Sequence, residues 1–202
     1  MPLNLGVLIS GRGSNLRAIV GAIENEQLPA SVELVISNRA DALGLEWALE
    51  AGLRTSLLTR DDLPDRTQRQ KAMQRVLEAA QVGLVVLAGF DEVLVDEFVS
   101  AFDGRIMNIH PSLLPAFGGS MKAVEAAYAH GVKVSGCTVH LVTREVDGGP
   151  IVVQRAVEVR EVDTPETLAE RILAEEHVAL PQAIRLFAAG RLRLEGRRVR
   201  IV

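Results

Sequence analysis

Leu5-Gly6-Val7-Leu8-Ile9-Ser10-Gly11-Arg12-Gly13-Ser14-Asn15-Leu16 is the stretch on which the fold turns. Its first half is a continuous apolar run, as expected of a strand buried on both faces. Beyond the glycines, Leu16, Ile19, Val20 and Ile23 recur at i, i+3, i+4 and i+7, which is one face of a helix. Strand, glycine loop, helix is half of a β-α-β unit, and the chain repeats it. Residues 32–36 read as a second strand and 42–51 as a second helix stopped by Gly52. A third strand falls at 55–58. Met73, Val76, Leu77 and Ala80 form a further helical face, and 84–88 and 106–109 read as buried strands. The alternation predicts an α/β fold: a mostly parallel twisted sheet with helices on both faces.

The pattern changes after residue 130. Residues 132–142 and 151–159 are β-rich runs with no helix between them, joined through Asp147-Gly148-Gly149-Pro150. They are expected to pair antiparallel at one edge of the sheet. Pro165 suits the first position of a helix after Thr164, and Pro181 is expected to kink or break that helix. The tail alternates Arg191-Leu192-Arg193-Leu194, turns at Glu195-Gly196 and runs Arg198-Val199-Arg200-Ile201, which reads as a hairpin with one apolar face.

Composition excludes several classes of function. Apolar residues are 48% and aromatic residues 3%, so the core is aliphatic and base stacking on single-stranded nucleic acid is not expected. A net charge of −4 argues against a general polyanion binder, and the alternating arginines of the tail fit the wet face of a hairpin. The single cysteine, Cys137, cannot close an internal disulfide and suggests a reducing compartment. There is no basic start with an apolar region after it and no membrane-length apolar run, so a cytoplasmic protein with no membrane partner is expected. His130, His140 and His177 form no metal-spaced set with Cys137, and no metal is expected.

Two segments carry chemistry. Ser10 to Asn15 lies between a strand and a helix start, where free N–H groups and the helix dipole favour an anion, phosphate above all. The ordinary alternative is a tight turn in which Ser14 or Asn15 caps the helix. Leu16 stands where a dinucleotide fingerprint would have its third glycine. The second segment is Asn108-Ile109-His110-Pro111-Ser112-Leu113-Leu114-Pro115. In extended backbone, residues i and i+2 face the same side, so an amide and an imidazole face one cleft. An amide that steadies an oxyanion beside a group that moves a proton is minimal equipment for acyl transfer. Asp147 is either ordinary turn chemistry or a carboxylate that orients His110 and favours its imidazolium. Cys137, inside an expected strand, reads as core rather than nucleophile.

These motifs occur in one order together with Leu87-Ala88-Gly89-Phe90 and Val146-Asp147-Gly148-Gly149-Pro150-Ile151. In that arrangement the chain closely resembles the phosphoribosylglycinamide formyltransferases, a folate-dependent formyltransferase family. The resemblance covers nearly the whole chain. It implies a single Rossmann-like domain over 1–202, with a phosphate-binding half at 1–105 and a catalytic and folate-binding half at 106–202. It implies transfer of a formyl group from 10-formyltetrahydrofolate to the amine of phosphoribosylglycinamide, by a monomer or a homodimer.

By the resemblance, Gly13, Ser14 and Asn15 would hold the phosphate and Glu176 the ribose. Asn108 and His110 would stabilise the oxyanion, and Asp147 would raise the histidine's pKa. Thr143, Arg144, Glu145, Val146 and Asp147 would grip the pterin through backbone groups, with Asn108 also touching the folate. Leu87, Val93, Leu94 and Val142 would wall the pocket, and Arg66 would meet the folate's glutamate. Asp91-Glu92 departs from the Met-Arg common in the family, and Leu173 stands where a polar phosphate contact is common. If Asp91 and Glu92 face the folate tail, their carboxylates should repel it. The rival readings are a formyltetrahydrofolate hydrolase, whose members carry an added N-terminal domain, and a non-catalytic phosphoriboside binder. A methionyl-tRNA formyltransferase would need a further C-terminal RNA-binding domain.

Overall fold

A computed structural model describes residues 2–202, and it is α/β with nine strands and six helices among them. The sheet is mostly parallel, with antiparallel pairing at its C-terminal edge. The chain divides into two compact units, one ending at Met107 and the other beginning at Asn108.

In the first unit, β1 (Leu3–Ile9), β2 (Ala30–Ser37), β3 (Thr55–Leu57) and β4 (Leu84–Leu87) alternate with α1 (Ser14–Glu24), α2 (Leu43–Glu50), α3 (Arg66–Ala79) and α4 (Asp96–Ala101). Strands run in the order β3-β2-β1-β4, every pairing parallel. Leu5, Val7, Leu8 and Ile9 of β1 are fully buried, as the continuous apolar run requires. The strand order reverses direction between β1 and β4, which makes the loops after these strands a ligand crevice in folds of this kind. Ser10 N–H donates to the Gly89 carbonyl at 3.0 Å, so those two loops are tied together.

α4 was not expected from the sequence. It spans six residues and buries only Phe98 and Val99, too few to display a helical period. α5 (Ala123–His130), closed by Gly131 at φ 77°, was not expected either.

The second unit takes up β5 (Ile106–His110), whose last three residues belong to it, with α5, β6 (Val134–Leu141), β7 (Ile151–Glu158), α6 (Pro165–Ala188), β8 (Leu192–Glu195) and β9 (Arg198–Ile201). β6 and β7 pair antiparallel, as expected. β8 and β9 form the tail hairpin, and β9 joins β7 at Ile151 and Arg198. α6 starts on a capping box, with Thr167 N–H donating to Thr164 Oγ1 and Thr164 N–H to Thr167 Oγ1.

Of the expected kink or break at Pro181, the break does not occur: α6 runs through it to Ala188. A mid-helix proline costs about 3 kcal/mol. Leu168, Leu180 and Ile184 are fully buried on the same helix. Each such side chain contributes about 1.5–3 kcal/mol, which outweighs the lost hydrogen bond. Among the described residues no helix is long and apolar enough to cross a membrane.

Candidate active site

The Gly-Ser-Asn loop ends β1 and opens α1. Gly13 occupies the N-cap position in the left-handed region, φ 72°, with no side-chain cap. Ser14 and Asn15 lie inside the helix, so the expected alternative, in which one of them caps it, does not hold. A Cβ on Gly13 would fall 2.5 Å from Gly44 Cα in α2. The loop therefore needs glycine for its φ and for the close passage of a second backbone. The first-turn N–H groups of α1 have no intrahelical acceptor and remain directed out of the helix start.

Asp91 and Glu92, expected at the folate tail, are engaged inside the first unit. Asp91 accepts from Asn38 Nδ2 (2.8 Å) and from Arg60 (3.0 Å), and its N–H donates to Ser10 Oγ. Glu92 is paired with Arg69 at 2.7 Å, the two side chains 5% and 3% exposed. Gln70 Nε2 donates to the other Glu92 oxygen (2.7 Å) and to the Val93 carbonyl (3.0 Å), while Gln70 Oε1 accepts from Val95 N–H. Two acids with their charges matched this closely lose the source of the expected repulsion. Sequence reading missed Arg69, because an arginine on a helix normally reads as surface. In the same unit Leu87 is buried, Leu94 half-buried, Val93 exposed, and Arg66 is the exposed first residue of α3.

The second unit brings Asn108, His110 and Asp147 together. Asn108 and His110 leave β5 on the same side, and both meet the Asp147 carboxylate. His110 Nδ1 is 3.3 Å from Asp147 Oδ2. Asn108 Nδ2 is 3.5 Å from Oδ1. Asp147 has φ 52°, uncommon for a residue with a Cβ, and its Oδ2 also accepts from Gly119 N–H at 2.8 Å.

His140, passed over in the sequence, belongs to this cluster. Its Nδ1 faces the Leu141 carbonyl at 3.1 Å. A carbonyl only accepts, so in the neutral ring Nδ1 carries the proton and Nε2 accepts from Asn108 Nδ2 at 3.1 Å. Nε2 also lies 3.4 Å from Asp147 Oδ1. The alternation along β6 was the available signal, since it turns His140 inward with Thr138.

His110 has its pKa lowered overall, although Asp147 raises it as expected. Burial is the largest cause, and it outweighs the attraction of Asp147 and the Phe117 carbonyl, while His140 adds to the lowering. Both ring nitrogens of His110 face oxygens, Nε2 toward Phe117 O at 3.2 Å, so a neutral ring can donate to only one of them. Burial pushes the Asp147 carboxyl up, but the His140 contact, the Gly119 N–H and the His110 charge hold it at about 2. Asp147 is thus an anion throughout the neutral range.

The loop after β6 carries Val142, half-buried, and Thr143, Arg144, Glu145 and Val146, all exposed. It closes with Gly148 N–H donating to the Glu145 carbonyl (3.1 Å). A Cβ on Gly149 would lie 1.8 Å from the Leu141 carbonyl, so only glycine lets the loop return this close to β6. Glu176 is buried in α6. Cys137 is fully buried, and burial, with Glu176 and Glu175 nearby, pushes its thiol up to about 12, so it is a core residue as expected. Among the described residues no group of three or more His, Cys, Asp or Glu is arranged to hold a metal ion.

A half-buried amide and a buried imidazole at the end of β5 thus meet a half-buried carboxylate from the loop after β6, groups able to donate to an oxyanion and to move a proton. The chain belongs to the formyl transferase family, whose sequence profile (Formyl_trans_N) matches residues 3–184. It is 40% identical over 192 residues to the phosphoribosylglycinamide formyltransferase of Escherichia coli (strain K12), spanning 95% of this chain and 90% of that protein. It matches the crystal structure of glycinamide ribonucleotide transformylase 1 from Symbiobacterium toebii with a TM-score of 0.96 at 52% identity, over 100% of this chain and 94% of that one. It is 44% identical over 188 residues to the trifunctional purine biosynthetic protein adenosine-3 of Gallus gallus. That match takes in 93% of this chain but only 19% of the trifunctional protein's length.

Proposed function

We propose that this chain transfers the formyl group of 10-formyltetrahydrofolate to the primary amine of phosphoribosylglycinamide, a step of purine synthesis. The observation that carries the reading is the meeting of Asn108 and His110 on the Asp147 carboxylate in a member of this family. The acceptor's phosphate is held at Gly13, Ser14 and Asn15, by N–H groups at a helix start, and Glu176 takes the ribose. The pterin is gripped by the backbone of 143–147, with Leu87, Val93, Leu94 and Val142 as apolar contacts and Arg66 for the glutamate. At Asp91 and Glu92 the proposed folate contact is through backbone, because the side chains are engaged elsewhere.

The amine lone pair attacks the formyl carbon, and the carbonyl π pair moves onto oxygen. Asn108 donates to that oxygen. Its amide has one N–H on His140 Nε2, and the other meets Asp147 at the long distance of 3.5 Å, which leaves it available to a stronger acceptor. One such donor is worth about 3 kcal/mol. His110, neutral because burial lowers its pKa, accepts the proton that the amine loses, and Asp147 stabilises the imidazolium. His110 then returns a proton to the departing folate nitrogen as the carbon–nitrogen bond breaks. No covalent enzyme intermediate is needed.

The test is formyl transfer from 10-formyltetrahydrofolate with and without phosphoribosylglycinamide. Tetrahydrofolate release that requires the acceptor, with formylated acceptor in equal amount, is expected. Release of formate and tetrahydrofolate without acceptor would make the chain a hydrolase, and binding without turnover would make it a non-catalytic riboside binder.

A further inference from the structure

The C-terminal hairpin lies beyond the residues matched by the family profile, which ends at 184. Its turn places one arginine against the loop that carries Asp147. Arg197 Nη2 donates to the Gly148 carbonyl at 3.0 Å, and Nη1 is 3.4 Å from Glu145 Oε2. These partners flank Asp147, one on each side in sequence. The hairpin is itself anchored at the end of that loop, where Arg198 pairs with Ile151 at the start of β7. The Glu145 side chain is folded over the turn, since a Cβ on Gly148 would lie 2.3 Å from Glu145 Cδ. Glu145 therefore covers Gly148 while Arg197 bonds both.

We infer that Arg197 is a positioning residue for the formyl-transfer reaction. From the hairpin turn its guanidinium bridges the Glu145 carboxylate and the Gly148 carbonyl, and so holds the 143–148 loop in the conformation that binds the donor and presents Asp147. The inference rests on the reading that 143–147 grips the pterin. A planar fork is suited to two acceptors at once, which a single charge is not. The ion pair is too exposed to matter by charge alone, with side chains 77% and 69% accessible. What the fork supplies is geometry. Asp147 sits at φ 52°, a conformation that its neighbours must maintain, and misplacing a reacting group by about 1 Å costs rate steeply.

The experiment compares the full chain with Arg197→Ala and with Arg193→Ala. Arg193 lies on the same hairpin and pairs within it, 3.8 Å from Glu195. Three readouts are taken: KM for each substrate with kcat, amide hydrogen exchange across 144–149, and Tm. In Arg197→Ala the KM for 10-formyltetrahydrofolate should rise about fivefold and kcat fall about threefold, with the acceptor KM unchanged. Exchange at Gly148 N–H, which reports closure of the turn, should quicken about tenfold. Arg193→Ala should match the parent in all three. Parental exchange and parental folate KM in Arg197→Ala overturn the inference. So does an equal rise in both KM values with a fall in Tm, which is the behaviour of general destabilisation. Faster exchange with an unchanged folate KM leaves the clamp standing and overturns the assignment of 143–147 to the pterin.

Discussion

Asp147 Oδ2 lies 3.3 Å from His110 Nδ1, yet the histidine's pKa falls below its ordinary 6.5 because burial outweighs the carboxylate's attraction. The free enzyme thus holds a neutral imidazole facing an anion. A neutral base beside a carboxylate is ready to take a proton and to be stabilised once it has one.

That relationship predicts the pH profile. The acid limb of kcat/KM, where His110 becomes protonated, should lie below pH 6.5. Asp147→Asn removes the one charge that raises the histidine's pKa, so the limb should move further to acid. The same variant should lose about a hundredfold in kcat, equivalent to about 3 kcal/mol of transition-state stabilisation. A limb that stays in place would mean that Asp147 does not act through His110. Stability carries the matching signs. The Asp147 carboxyl is lowered from 3.8 to about 2, so its contribution is present above pH 3.8 and lost as pH falls toward 2. His110 is also lowered, so its part of stability declines as pH falls below 6.5. Acid titrations of parent and Asp147→Asn by circular dichroism separate the two.

His140 holds the Asn108 amide through Nε2 at 3.1 Å. His140→Ala removes that acceptor and frees the amide to rotate away from the oxyanion. The expected loss is about tenfold or more in kcat, with both KM values within twofold, because the donor acts mainly in the transition state. Steady-state kinetics with a Tm measurement tests it, and a rise in KM alone would assign His140 to binding.

Glu92→Gln leaves the Arg69 guanidinium, 3% exposed, without its ion-pair partner. Removing one member of a buried pair costs about 3–5 kcal/mol, so urea unfolding should show a loss of that size. Glu92→Arg should be worse, since it sets a second cation against Arg69. A stable Glu92→Arg protein that binds folate more tightly would restore the expected repulsion at the folate tail.

Gly44 backs onto the Gly13 loop, the proposed phosphate site. A Cβ there would lie 2.7 Å from Gly13 Cα, so Gly44→Ala must displace the loop. The acceptor KM should rise about tenfold while the folate KM stays put. Gly13→Ala should do the same and also lose more than about 1 kcal/mol of stability, because φ 72° strains any residue with a Cβ. An unchanged acceptor KM in both variants would place phosphate recognition elsewhere.

What the sequence determined by itself is local and periodic. The apolar run through Ile9, the helical face from Leu16 to Ile23 and the i, i+2 placement of Asn108 and His110 are set by neighbours in the chain, and the strands and helices they imply are present. α4 was invisible because it buries only two side chains, too few to show a period, and α5 buries only Ala123, Val124 and Ala127. Tertiary structure decided the rest. It brought Asp147 and His140 to Asn108 across a strand and a turn, and it buried Glu92, expected at the folate tail, against Arg69. It carried α6 through Pro181 on packing energy, and it made burial rather than charge set the protonation of His110. Each of these outcomes depends on desolvation and on contacts between distant parts of the chain, and neither is encoded in the spacing of residues along it.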